Sequence, residues 1–175
     1  MNTPQTLDSD AAFDPLDMVE SILTEEGLEF ERTPEGDLGF ALTGDWRTYE
    51  MWFSWRPEGE CLQLCCSLDV EGVAAIPLAL DRLPGLYELL SLVNSHVWFG
   101  HFEVFRDEGS HDVVFRHTVA LNPLERGSVV ASAHMINSAA EAVDRFFPAF
   151  DFWFKGASSA QDSFAACLFE TQGEA

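Results

Sequence analysis

Histidine is the residue most often used as a general base or metal ligand near neutral pH. Four of the five here, His96, His101, His111 and His117, crowd around one pair of strand-like segments. Whether two of them can act together depends on register. If Glu108-Gly109 forms a tight turn that sets residue 107 against residue 110, Val113 faces Val104 and Phe115 faces Phe102, apolar against apolar. His117 then lies opposite Gly100 on the core face, filling the space the glycine leaves, and His101 lies opposite Arg116 on the other face. The two rings point apart, which disfavours a catalytic dyad or a two-histidine metal site. A register longer by one residue would set His101 across from His117 instead.

The four cysteines are poorly placed for zinc. Cys61 and Cys65 lie four apart in a strand-like segment, so their Cα atoms are roughly 13 Å apart at about 3.3 Å per residue. One ion with Zn–S bonds of about 2.3 Å cannot bridge that span. Adjacent Cys65 and Cys66 point to opposite faces, and Cys167 falls in a helical pattern, so reduced, structural thiols are expected. Carboxylates number 30, and adjacent pairs such as Glu25-Glu26 or Asp107-Glu108 arise without catalytic purpose. An acid–base pair needs two carboxyls in different environments of one cleft, and nothing marks such a pair. No G-x-S-x-G, H-E-x-x-H, phosphate-cradling glycine loop or G-x-G-x-x-G occurs. A protein that is not an enzyme and takes no cofactor or metal is expected.

The elements that would position these residues are legible in the apolar spacing. Asp14 caps a helix with Pro15 in its first turn and Leu16, Val19, Ile22 and Leu23 as its inward stripe, ended by Gly27. Leu28 to Thr33 and Asp37 to Thr43 flank a Pro34-Glu35-Gly36 turn. Trp46 to Arg56 alternates and is answered across Arg56-Pro57-Glu58-Gly59 by Glu60 to Val70, with Leu62, Leu64, Cys66, Leu68 and Val70 inward. A helical pattern over Leu78 to Val97 follows, with Pro84 near its start. The strands Phe99 to Arg106 and His111 to Leu121 come next. A long helix from Ser128 carries Met135, Ile136, Ala140, Val143 and Phe147 and is expected to kink or restart at Pro148. Gly156 and Ser158 open a last short helix with Phe164, Cys167 and Leu168. The order α-β-β-β-β-α-β-β-α-α predicts an α+β domain, an antiparallel sheet packed by helices.

Against the 30 acids stand 9 Lys and Arg, a formal net charge of −21, in a 175-residue chain that is 47% apolar and 13% aromatic. Acidic disordered tails lack such aromatic content. Nucleic acids and anionic lipids are bound chiefly through Lys and Arg; with Lys155 the one lysine, neither is an expected partner. No stretch approaches the roughly 20 apolar residues of a membrane helix, and Met1 to Phe13 lacks the charged start and apolar middle of an export signal. The expectation is a cytoplasmic protein without a membrane span, with a flexible stretch over 1–13 and one domain over 14–172.

The charge is unevenly spread. Residues 1–37 hold 11 acids and one base, Arg32, nearly half the net charge. This is a solubilising face or an acidic docking surface for a basic partner segment. Aromatics are also in surplus. Trp46 and Trp52 share the strand face that looks away from Tyr49, Met51, Phe53 and Trp55, so a helix layer or a partner must cover it. Phe146 to Phe154 places six aromatics in nine residues, more than one helical face can hold. Trp46, Trp52, Phe152 and Trp153 are therefore the candidate partner-binding residues, since Trp and Phe anchor interface cores.

The run Leu86-Tyr87-Glu88-Leu89-Leu90-Ser91-Leu92-Val93-Asn94, then Trp98-Phe99-Gly100-His101-Phe102-Glu103-Val104 and Phe115-Arg116-His117, resembles the bacterial YbjN family of sensory transduction regulators. Asp14 to Glu20, Phe53-Ser54-Trp55-Arg56 and Phe146-Phe147-Pro148-Ala149-Phe150 extend the resemblance over most of residues 14 to 172. It implies a fold similar to type III secretion chaperones, small acidic α+β homodimers that hold an extended client segment. The function it implies is a non-enzymatic, chaperone-like regulator that binds an unidentified protein partner as a homodimer. Asn94, Gly100, His101, Phe102, Phe115 and Arg116 are then structural motif positions rather than catalytic ones. The rival is a small enzyme or ligand-binding protein with a pocket near His101 and His117.

Overall fold

Asp14 opens the first helix as its residue type predicts, its Oδ1 accepting the Leu16 N–H at 2.9 Å, with Pro15 where a missing N–H is harmless. The computed structural model describes residues 14–68, 81–107, 110–121, 129–157 and 159–169. In chain order the elements are α1 (Pro15–Glu25), β1 (Phe30–Arg32), β2 (Leu38–Thr43), β3 (Thr48–Arg56), β4 (Cys61–Ser67), α2 (Leu83–Asn94), β5 (His101–Asp107), β6 (Ser110–Ala120), α3 (Val129–Phe154) and α4 (Ala160–Phe169), with a 3-10 turn over Pro57–Gly59 between β3 and β4. This is the predicted α+β order. The strands form one antiparallel sheet in the order β1-β2-β3-β4-β6-β5, so the meander β1 to β4 is joined to the β5–β6 hairpin by the long-range pairing of β4 with β6.

Alternation decides which face is covered. Phe40, Met51, Phe53, Leu64, Cys66, Phe115 and Phe102 lie on one face and are all buried. They form a single cluster with Val19 and Leu23 of α1, Leu89 and Val93 of α2, Val143, Phe147 and Phe150 of α3, and Cys167 of α4. Trp52, Cys65 and Val114, on the opposite face, are absent from that cluster.

Two local expectations change. The predicted second helix starts at Leu83, with Pro84 in its first turn; Leu78 to Leu80 and the inward Val70 lie outside the described residues. Pro148 does not restart the helix, because α3 runs through it to Phe154. An interior proline costs about 3 kcal/mol in a helix, and burial of Phe146, Phe147 and Phe150 on either side of it offsets that cost. The last helix is capped by Ser159, whose Oγ accepts the Asp162 N–H at 3.0 Å and donates to its carboxylate at 2.7 Å; Ser158, expected to open it, lies outside the described residues.

Two charged side chains fasten helices to the sheet. Arg32 reaches Asp14, Asp17 and Glu20 on α1, with N–O distances of 2.6, 2.7 and 2.5 Å. Hydrogen bonds to Asp14 and then Glu20 raise its already high pKa further. Asp144 of α3 accepts the backbone N–H groups of Asp45 and Trp46 at 3.1 Å and the hydroxyl of buried Tyr49. A Cβ on Gly44 would come within 2.5 Å of both the Asp144 carboxylate and the Tyr49 ring, so the turn leading into β3 needs glycine there.

Removing a charged acceptor from a buried donor costs about 2–3 kcal/mol, more than an exposed surface change of about 0.5 kcal/mol. Asp144→Ala is therefore expected to lower the unfolding free energy by about 2–3 kcal/mol in urea titration, with Glu25→Ala nearly neutral. Equal effects for the two variants would show that the carboxylate does not hold the turn.

Candidate functional site

The β5–β6 hairpin has the register expected from apolar matching: Phe102 faces Phe115, Val104 faces Val113, and His101 faces Arg116. His117, 7% exposed, lies on the core face, while the His101 side chain is 53% exposed on the other. The two rings lie on opposite faces of the sheet and so do not form one site together. One detail differs from expectation. The space over Gly100 is taken by Phe115 and the Arg116 carbonyl, which a Cβ would meet at 2.6 and 2.7 Å, and Gly100 adopts φ +74°. His117 instead turns toward Ser138 Oγ, 3.3 Å from its Nδ1, and toward Phe99, whose ring centroid is 6.0 Å away.

Asn94, at the end of α2, grips β5. Its side-chain oxygen accepts the Phe102 N–H at 2.8 Å and its NH₂ donates to the Phe102 carbonyl at 3.0 Å. The Phe102 ring then packs on Phe115, Phe146, Phe147 and Phe150 at centroid distances of 5.2 to 6.1 Å. Asn94, Gly100, Phe102 and Phe115 thus hold the end of α2 against the β5–β6 hairpin.

The sheet face away from the helices is open at its β1 end, whereas Ser54, Cys65 and Val114 farther along it are buried. Gly39, Trp52, Cys65, Arg116 and His101 form one row across five strands. Arg116 donates to Glu103 through Nε at 2.8 Å and to Gln63 through Nη1; His101 Nε2 lies 3.6 Å from Glu103. Burial pushes the Cys65 thiol up to about 11 and raises Cys66 further, so both are protonated and unreactive at neutral pH. Toward β1, a groove of about 460 Å³ is lined by Glu29, Glu31 and Glu50 over Gly39 and Ala41. Among the described residues no group of three or more His, Cys, Asp or Glu side chains could hold a metal, and no helix is long and apolar enough to cross a membrane.

A family model, YbjN, described as a "putative bacterial sensory transduction regulator", matches residues 15–152. The chain belongs to the YbjN family. Among solved structures it is similar to YbjN from E. coli, titled "a putative transcription regulator", with 10% identity, a TM-score of 0.53, and 89% of this chain and 93% of that one covered. At that identity the likeness is one of fold. No curated protein matches.

Set in the YbjN fold, the aromatic candidates separate. Trp52 is half-buried on the open sheet face. Trp46 does not share that face: β3 begins at Thr48, and the preceding turn carries Trp46, 36% exposed, to the helix side beside Asn137, Ala140 and Cys167. Trp153 leaves the candidate surface altogether. It is 5% exposed, and its ring fills the space beside Gly85, where a Cβ would meet it at 2.3 Å. Arg82 lies 4.6 Å over that ring. Phe152 is 46% exposed, but its aromatic neighbours Phe146, Phe147 and Phe150 are core.

Sequence reading missed two features. Trp98 is 93% exposed, an exposure no local pattern encodes. His134, outside the histidine-rich stretch, joins His117 around Phe99, with the Phe99–His134 centroids 4.7 Å apart and edge-on; the signal was its helical spacing to Ser138, one turn on.

Burial first, and then the nearby His134, lower the pKa of His117. A folded-state pKa below the unfolded value of about 6.5 means the unfolded chain binds the extra proton, so this contribution is present above about pH 6.5 and is lost as pH falls below it. His117→Gln is expected to lose less stability than the native chain between pH 7.5 and 5, the difference being at most about 1.4 kcal/mol per pH unit. Parallel stability profiles by urea unfolding would remove His117 from the acid response.

Proposed function

We propose that this chain is a non-enzymatic, cytoplasmic regulatory module that binds a basic segment of a partner protein across the open face of its sheet, and that it works as a homodimer. The observation that carries the reading is the trough at the β1 end of that face. Glu29, Glu31 and Glu50 line it, and Gly39 and Ala41 leave its floor low. Trp52 stands beside Gly39 in register, so an arginine or lysine entering the trough would meet carboxylates beside an indole whose face attracts cations. Three of the N-terminal acids, Asp14, Asp17 and Glu20, are engaged by Arg32, whereas Glu25, Glu26, Glu29, Glu31 and Glu35 are exposed. A net charge of −21 speeds encounter with a basic partner. The family's description as a regulator supports a binding role over catalysis.

The test uses the purified protein as bait in extracts of its own cell, read by quantitative mass spectrometry. A partner retained by the native chain is expected to be lost with Glu31→Lys/Glu50→Lys and kept with Glu58→Lys, an exposed acid beyond the far end of β3. Equal loss with both would reduce the effect to net charge and sink the trough reading. A second handle is Gly39, whose Cβ position meets no atom closer than the Glu31 carbonyl at 3.8 Å. Gly39→Val should fill the floor, keep the fold and abolish capture; capture that survives it would place the partner elsewhere.

A further inference from the structure

Trp98 is 93% exposed, where tryptophan is ordinarily mostly buried. It stands on a fixed platform. On one side the His96 ring packs on Phe164 at 4.9 Å, and its Nδ1 lies 3.0 Å from the Leu92 carbonyl. On the other, Phe99 is held between His117 and His134. With the flanking residues held in place, binding has chiefly the two torsions of the indole left to order, so its contact area converts efficiently into affinity.

Beside Trp98 runs a groove of about 170 Å³ whose apolar lining includes Val97, Phe99, Ala142 and Phe146, with Glu141 and Arg145 also along it. A protruding indole next to an apolar recess on one patch is self-complementary, the condition a two-fold interface requires. Charge selects the occupant. A second copy of a chain carrying −21 is repelled over most of the surface, but the acid and base along this groove cancel. In a two-fold arrangement Arg145 of each copy can face Glu141 of the other.

We propose that this patch is the homodimer interface, with Trp98 of each copy seated in the groove beside Val97, Ala142 and Phe146 of the other. The proposal rests on the dimeric part of the reading above. Trp98 acts as the anchor, and the surrounding polar residues form the rim.

The test is light scattering on the full chain from roughly 1 to 200 μM, since the mass of a self-associating protein depends on concentration. A dimer is expected, with Trp98→Ser weakening it at least about tenfold while circular dichroism and thermal unfolding stay unchanged, because so exposed a side chain supports little of the monomer. A photo-crosslinking residue at position 98, in a mixture of ¹⁵N-labelled and unlabelled protein, is expected to join heavy to light chains at residues 138–146. A native protein that stays monomeric throughout overturns both the interface and the dimeric reading. A dimer that Trp98→Ser leaves intact overturns this interface alone. Crosslinks confined to one chain, including to its own residues outside the described segments, overturn it as well.

Discussion

Phenylalanine 102 is the point on which the rest of the structure depends. Its backbone is bracketed by the Asn94 amide and its ring is surrounded by Phe115, Phe146, Phe147 and Phe150. Through that one residue α2, β5, β6 and α3 are tied together. Aromatic pairs of this geometry add about 0.5–1.5 kcal/mol each beyond the area they bury, and the two Asn94 hydrogen bonds fix where β5 sits relative to the helix before it. The left-handed turn at Gly100 follows from the same arrangement, because Phe115 and the Arg116 carbonyl occupy the position a side chain would need.

The parts of the fold that local chemistry determines were legible in the sequence. The Asp14 cap and the β5–β6 register follow from residue type and period, each within a dozen or so residues. The adjacency of β4 and β6 was not, because α2 and β5 intervene and no local pattern encodes the pairing. Strict alternation placed Trp46 with Trp52, but alternation holds only inside a strand, and Asp144 binds the backbone of the turn that precedes β3. The aromatic run near Pro148 read as more than one helical face because α3 is covered by the sheet on one side and by α2 and α4 on others, so Trp153 is core. For the candidate surfaces, Trp52 and the acids were visible as residue types, whereas the exposure of Trp98 is a tertiary property.

The charge also changes meaning once the chain is folded. Counted along the sequence, the first 37 residues look like an undivided acidic segment. In the fold, one arginine draws three of those acids into a clamp between α1 and β1. The acids left exposed lie from the end of α1 along β1 and its hairpin, beside small residues at the β1 end of the sheet. Charge and shape therefore coincide on one part of the surface, while the Trp98 patch is near neutral.

Asn94 has one more consequence. β5 lies at the end of the sheet, where a strand ordinarily presents unpaired N–H and C=O groups that can template the addition of foreign strands. By taking both outward groups of Phe102, the Asn94 amide stands in for one rung of a seventh strand and so terminates the sheet with a side chain. The same amide that orients the helix thus guards a phenylalanine-rich chain against fibrous growth from its own edge.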